Sequence, residues 1–574
     1  MLRWLTEPGT ICFGRCCQND DVSETGVIHR ARRVVTLDPA LPAGDAVAVR
    51  GDRILGIGSV EELSAAWGAL DLDETFADSV LLPGFVEAHS HSLEGAIWAW
   101  EYAGFFPRLG PDGEQRQGCQ TFGSLLELLR RLDAELDDPA ESLMVWGFDP
   151  IYFPGERLAA HHLDRVSTTR PICVIHASLH LITVNTALME REEFADGSEV
   201  EGVPTGADGR PIGELQEPPA MSLARREMVA LWSALSDPAS LRRFADMAKV
   251  VGCTTVTELG ATRLKSDADV ALWVDAAAAD GFPARLVPLL NPGRGHSGTP
   301  DEIAALTVAL RAASTAKVRF GLVKMVLDGS IQGFTARLNP PGYLPNPDGT
   351  ERPNGIWLIE PEQFTAWFEA FHRAHVTVHT HVNGDQSVDL LLDTVETALA
   401  DHSWFDHRHT AQHAQLATPA QYRRMAAMGM SANIFSNHIF YWGDQHRSIT
   451  VGPDRAARMD ACATADREGV PYSIHSDASV TPLGSLHTMW CAVNRVTASG
   501  DVLGPHERIS VDRALRAVTV DAAHQLRLDH ELGTIQAGKL ADFVALAEDP
   551  NDVDPMAIKD IGVHGTVVGG EITV

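Results

Sequence analysis

The chain is poor in cysteine and in basic residues. Eight cysteines, at positions 12, 16, 17, 119, 173, 253, 462 and 491, are spread over 574 residues, too sparse for the disulfide framework that holds small secreted domains together. Most lie in apolar segments, where a reduced thiol behaves as a small hydrophobe, and a cytoplasmic protein is expected. Lys and Arg number 46 against 77 Asp and Glu, a net charge of -31. That excess repels phosphate backbones and anionic membrane surfaces at long range, so nucleic acid and membrane drop out as partners. A small-molecule substrate remains, and a homo-oligomer stays open. No apolar run approaches the ~20 residues needed to span a bilayer. The amino terminus, interrupted by Pro8 and acidic by residue 20, lacks the continuous apolar stretch of a secretory signal. The run Cys12-X3-Cys16-Cys17 suggests a metal knuckle, but no second Cys/His pair follows nearby, and residues 1–27 are expected to form an extension, a loose tail or partner-contact segment.

What is present is a large apolar fraction, 45% of the chain, enough for one big domain with a satellite. Residues 27–36 and 46–58 alternate as short strands, the second broken by an Arg-Gly-Asp-Arg turn, and residues 532–546 and 563–574 repeat that style at the far end. Neither end can bury a core alone, so residues 28–80 and 530–574 are expected to pair into one small β-sandwich domain. Between them, candidate strands at 81–88, 250–259, 284–290, 318–328, 376–382, 409–414, 431–436 and 471–477 alternate with helical stretches. That pattern predicts a closed parallel (β/α)8 barrel over 81–529, whose catalytic groups gather at the carboxyl ends of the strands. The gap after the first strand is too long for one helix. Residues of about 95–248 are therefore expected to hold an inserted subdomain with strand-like segments at 144–148 and 171–176.

The stretch Glu87-Ala88-His89-Ser90-His91 follows an apolar run. Residues i and i+2 of a strand project to the same side, so two imidazoles at this spacing converge on one point. A His-X-His pair also occurs in plain polar loops. The later strand ends, however, carry Lys324, His381, His413 and Asp477. Nitrogen and oxygen donors without a thiolate favour an open catalytic site for zinc, or for manganese or iron, over a closed structural one.

The chain resembles the amidohydrolase superfamily, in the branch that includes N-substituted formamide deformylase. The residues that carry the resemblance are Pro83-Gly84-Phe85 leading to His89-X-His91, Val323-Lys324 with Asp328-Gly329-Ser330, and His381-Val-Asn-Gly384-Asp385. They continue through Gln412-His413-Ala-Gln415, Ser476-Asp477 and Leu532-Gly-Thr-Ile-Gln-Ala-Gly-Lys539-Leu-Ala-Asp542. The resemblance implies a distorted (β/α)8 barrel and two divalent ions. His89, His91 and Asp477 would hold one, His381 and His413 the second, and a carboxylated Lys324 would bridge them. Two departures stand out: Glu87 where relatives often carry Asp, and Gln412 where they often carry Glu. Both are expected to affect the outer shell of the site rather than ligation.

Alternatives stay open at several positions. Lys324 could instead pair with Asp328 or bind substrate as an ammonium. His379 shares a face with His381 and His475 with Asp477, so each competes by period alone. His180 and His438 lie where relatives place substrate-facing groups, and either could polarise a carbonyl or be plainly structural. Trp98, Tyr102 and Phe105 or Phe106 recur at helical spacing, and Phe440-Tyr441-Trp442 follows His438; such stripes are core unless they line a pocket, in which case the substrate is apolar. Trp98 and Trp442 are the candidate pocket residues.

The expected activity is hydrolysis of a non-peptide C–N bond in an amide, N-substituted formamide or carbamate by a metal-bridging hydroxide, with Asp477 moving the proton. A single-metal deaminase of the same superfamily is the alternative, disfavoured by Val382-Asn-Gly-Asp385 where such enzymes use a Glu. A non-catalytic barrel relative would have lost ligands, and none is lost.

Overall fold

The computed structural model describes residues 26–573 apart from 42, 69, 154, 156, 262–263, 294–297 and 347–348; the Cys12-X3-Cys16-Cys17 run lies outside the described residues. Eight parallel strands form one sheet in chain order: β1 (Phe85–Glu87), β2 (Cys253–Ala261), β3 (Arg285–Leu290), β4 (Val323–Val326), β5 (Val378–Val382), β6 (Thr410–His413), β7 (Ser431–Ile434) and β8 (Tyr472–Ile474). The first and last strands meet through a parallel bridge between Ser90 and Ala478 and through Asp477 N–H to His89 O at 3.1 Å. The sheet curls into a distorted barrel whose seam is closed by the loops just past β1 and β8. Several strands are shorter than their apolar runs: the 318–328 segment keeps β-pairing only over Val323–Val326, and 471–477 only over Tyr472–Ile474. The residues beyond turn away from the ladder to carry the site.

Strand residues alternate between two apolar layers, as period 2 requires. Val256, Leu286 and Val378 pack outward against helices, while Val86, Leu259, Val287, Leu289 and Leu322 form an inner layer closed by Ala522, Ala523 and Leu526 around the helix Val520–Gln525. The helices that return the chain are firmly started. Thr299 with Glu302 and Thr418 with Gln421 form reciprocal capping boxes, each followed by Pro in the first turn.

Strands from both ends of the chain lie in one eight-stranded sheet, with Val80–Pro83 antiparallel to Phe543–Leu546. Its far edge strand, Arg53–Gly58, reaches back to residues 538–540 through Ile54 N–H to Lys539 O at 3.0 Å. It is thus a single curled sheet closed on its own core of Val34, Val47, Leu81 and Phe543. The buried Arg285 guanidinium on β3 grips Asp542 at 2.7 and 2.8 Å and docks this sheet on the barrel. At the crossover, Gly84 has no substitute: a Cβ there would sit 2.1 Å from Thr254 Oγ1.

Between β1 and β2 the chain forms a separate layer. A five-stranded sheet runs Glu214–Gln216, Leu181–Val184, Ile172–His176, Leu143–Phe148, Glu101–Tyr102. The Trp98-to-Phe106 stripe is not helical. Trp98 caps the short helix Leu93–Ile97, Tyr102 is drawn into a strand by pairing with Trp146, and Phe105 and Phe106 lie in a loop between Gly104 and Pro107. Five cysteines, 119, 173, 253, 462 and 491, are buried and unpaired. No helix among the described residues is long and apolar enough to cross a membrane.

Candidate metal centre

The carboxyl ends of the strands bring His89, His91, Lys324, His381, His413 and Asp477 together. The Nε2 atoms of His89 and His91 each lie 3.4 Å from Asp477 Oδ1, and the three residues form a cluster able to hold a metal ion. Lys324 Nζ is 3.2 Å from His89 Nε2. The His413 ring stands 4.6 Å from that of His89 and 4.5 Å from that of His381. His413, the last residue of β6, and Asp477, just past β8, both have positive φ, 67° and 54°, a local cost typical of functional positions.

A chain of side-chain hydrogen bonds sets the histidine tautomers. Gln412 Nε2 donates to His379 Nδ1 at 2.7 Å, so Gln412 Oε1 faces Asn433 Nδ2 at 3.0 Å and accepts from His89 Nδ1 at 2.6 Å. Asn433 Oδ1 accepts from His475 Nδ1 at 2.9 Å, and His475 Nε2 then accepts from His413 Nδ1 at 3.1 Å. The protons therefore reside on Nδ1 of His89 and His413, and both Nε2 lone pairs are left for the site. His413 Nε2 is buried with no partner, a costly state that a cation relieves. His89, His413 and His475 also cluster closely enough to hold an ion, but His475 has both nitrogens engaged, and the free lone pair belongs to His413.

His91 is oriented differently. Its Nδ1 is 3.2 Å from Glu258 Oε1, while Glu258 Oε2 accepts from Ser92 N–H at 2.6 Å and Ser92 Oγ at 2.5 Å. Burial pulls the His91 pKa down, but Asp477 and Glu258 outweigh it and hold it at about 9. Asp477 is pushed up by burial, yet His91 brings it to about 2. Positive charge is strongly favoured between these carboxylates. Burial lowers Lys324 to about 7 and His381 to about 3. Burial also raises Glu87 to about 8 despite donors from Ser476 and His89 N–H, so this carboxyl stays neutral at pH 7 and braces the loops carrying His89 and Asp477.

Lys324 does not pair with Asp328. That carboxylate is filled by the backbone N–H groups of Arg337, Asn383 and Gly384 and by Ser387 Oγ, at 2.9–3.0 Å, and fixes the turn after His381. Gly384 is required there, since a Cβ would meet Arg337 O at 1.8 Å. His381 Nε2 lies 3.0 Å from Asn383 Nδ2 and 3.3 Å from Gly329 O.

Of the substrate-facing candidates, His180 is partly exposed and bonded through Nδ1 to Glu217 at 2.9 Å, near enough to His381 to lower its basicity. His438 is buried, its Nδ1 3.4 Å from Asp460 and its ring 4.0 Å from Phe435. Trp98 is turned away: its Nε1 donates to Glu94 and its ring packs edge-on against Trp146 at 5.1 Å, inside the inserted layer. Trp442 belongs to an aromatic wall. Phe435, 4.9 Å from His475, is followed by Trp442, Tyr441, Phe106 and Tyr152, so the insert and the β7 loop each supply part of it. Glu258 and Asn433 escaped sequence reasoning; a lone acid inside the uncharged strand β2 was the available signal for the first, and no signal marked the second.

Among the described residues these donors fit a divalent metal: three convergent ligands, a stranded imidazole nitrogen, and second nitrogens held by carboxylate and amide as ligating histidines require. The amidohydrolase family profile matches residues 77–574. The chain is 25% identical to N-substituted formamide deformylase of Arthrobacter pascens over 94% of its length and 96% of that protein. It is 26% identical to Protein LONG AFTER FAR-RED 3 of Arabidopsis thaliana over 94% of its length and 90% of that protein. In fold it is similar to an uncharacterized metal-dependent hydrolase from Pyrococcus horikoshii, with TM-score 0.69 and 16% identity over 92% of this chain and 99% of that one.

Proposed function

Since the chain belongs to the amidohydrolase family, a group of metal-dependent hydrolases of C–N bonds, we propose that it cleaves an amide, N-substituted formamide or carbamate bearing an apolar substituent. The observation that carries this reading is the convergence of His89 Nε2 and His91 Nε2 on Asp477 Oδ1, with the stranded His413 Nε2 beside them. His89, His91 and Asp477 would hold one divalent ion, His413 and His381 a second. Zinc suits the donors, and manganese or iron is compatible with them. Bound there, such ions acidify a water to near neutral pKa and polarise the scissile carbonyl.

Lys324 is suited to join the two subsites as a carbamate. With its pKa near 7, much of it is free amine at neutral pH. The free amine adds to the carbon of CO2, forming the N–C bond and releasing one proton, and the product is an anion that two neighbouring cations stabilise. Asp477, held anionic, can take a proton at Oδ2 and return it to the leaving nitrogen, since Oδ1 faces the two histidines. Gln412 and Glu258 keep the ligand nitrogens aimed. The wall from Phe435 to Tyr152 excludes water and receives the apolar substituent, with Trp442 in it, and the part-exposed His180–Glu217 pair and His438 face the polar end.

The test is metal analysis of purified protein joined to amine release from a panel of N-formyl, N-acyl and carbamate compounds. About two divalent ions per chain and turnover of apolar formamides or amides are expected. A fully active protein with one ion would overturn the paired site, and ammonia release from aminated rings with no amide turnover would point to the deaminase.

A further inference from the structure

The end of the barrel opposite the metal centre holds a separate cavity of about 360 Å3, bounded by residues that precede β4, β5 and β6 and by the segment after the helix Val520–Gln525. Its size falls in the range of small-ligand sites. Its lining is unusual for a chain of net charge -31, because Arg311, Arg319, Arg527, His375 and His530 all face it.

The three arginines are unequally paired. Arg319 meets Glu531 at 2.7 Å, and Arg527 is the more fully held, donating to the Asp406 carboxylate at 3.2 Å, to Asp406 O and to Thr377 Oγ1 at 2.8 Å while its guanidinium lies 5.2 Å over the Trp404 ring. Arg311 donates only to the carbonyl of His375, at 2.7 Å, and among the described residues no carboxylate lies within ion-pair distance of it. Its side chain is exposed over part of its length, and its pKa is lowered by partial desolvation and by the like charge of Arg527, so the two guanidiniums repel each other. The backbone is shaped to hold them there. A Cβ on Gly321, whose φ is +106°, would sit 2.3 Å from Arg311 Cγ, so the glycine lets that stem lie across the cavity. His375 and Arg527 each follow the end of a helix in the left-handed conformation, φ 54° and 59°, closed by Val376 N–H to Phe371 O at 2.9 Å and Leu528 N–H to Ala523 O at 2.8 Å, so helix termination sets where both residues stand. Leu526, Leu528 and Val287 supply an apolar floor continuous with the inner layer of the barrel.

We propose that this cavity is a second binding site, for a small organic oxyanion whose phosphate or carboxylate group sits between Arg311 and Arg527 and whose apolar body rests on Leu526 and Leu528. A planar guanidinium fork matches either group in two parallel hydrogen bonds. The pocket is larger than the anion alone needs, and Val287, Phe320, Leu526 and Leu528 give it an apolar side beside its polar lining. This site does not depend on the reading of the metal centre.

Calorimetric titration of the metal-loaded protein tests it, with phenyl phosphate, benzoate, inorganic phosphate and neutral phenol as probes. Phenyl phosphate or benzoate should bind and weaken with salt. Inorganic phosphate should bind about tenfold or more weakly by comparison, and phenol not at all. Arg311→Gln, at an exposed position, should weaken the organic anion at least about tenfold, and Arg311→Lys should restore only part by supplying charge without the fork. Heat that persists unchanged in Arg311→Gln would come from elsewhere, including the metal centre, and would overturn the proposal, as would absence of binding at millimolar probe. Equal affinity for inorganic and phenyl phosphate would overturn the ligand class.

Discussion

Replacing Glu258 by Gln probes the centre without touching a ligand. The carboxylate accepts from three donors at once: Ser92 N–H and Ser92 Oγ on one oxygen, and His91 Nδ1 on the other. A carboxamide has a single acceptor oxygen. If that oxygen stays with Ser92, the amide nitrogen faces His91 Nδ1, donor against donor, and the imidazole escapes by moving its proton to Nε2, the atom aimed at Asp477. If it turns to His91, both Ser92 donors are left unmet in a buried site. Either way a charge-assisted hydrogen bond worth about 1.5–3 kcal/mol is lost. At 1.4 kcal/mol per factor of ten this corresponds to a roughly 10–100-fold weaker hold on the metal. Competition with a chelator of known affinity, at constant pH, measures the metal dissociation constant directly, and circular dichroism checks that the fold is intact. A folded Glu258→Gln protein that binds metal as tightly as the parent would refute the assignment of His91 Nε2 as a ligand.

Asp477→Asn should keep much of its metal, since a carboxamide oxygen can still ligate, yet lose at least about 100-fold in kcat because it cannot move a proton; near-normal turnover would make Asp477 purely a ligand. Lys324→Ala should lose metal and activity together and regain part of both with added bicarbonate or short carboxylates, whereas an ammonium that only bound substrate would leave the metal in place and raise KM. Trp442→Ala should raise KM more for a bulky apolar amide than for a small one, and an equal rise for both would remove it from the substrate wall. In the inserted layer, His176 is lowered by burial from 6.5 to about 3, so between those values the unfolded chain binds a proton that the native state refuses. Stability attributable to it is full above pH 6.5 and falls as pH drops, with a slope of about 1.4 kcal/mol per pH unit; urea midpoints at several pH values should show a shallower acid loss in His176→Gln, and identical slopes would refute the assignment.

Much of this protein is legible from residue order alone, because periodicity and chain punctuation are local. The eight apolar runs, each bounded by polar or Gly-rich segments, overlap the barrel strands, though residues 81–83 pair into the terminal sheet instead, and donors that close or soon follow such runs gather at one rim of the barrel. That is why His89, His91, His381, His413 and Asp477 could be picked without coordinates. Tertiary structure decided what depends on cross-strand distance. The Gln412–Asn433–His475 relay that frees His413 Nε2 joins three strands, and Glu258 reaches His91 across 167 residues of chain. The helical spacing of Trp98 and Tyr102 misled for the same reason: Glu101–Tyr102 is drawn into a strand by pairing with Val145 and Trp146, and only packing against Trp146 shows where Trp98 points. The second, arginine-lined cavity has no sequence signature, since Arg311 with Gly321, His375 and Arg527 come from three separate stretches of the chain and become one surface only when the barrel closes.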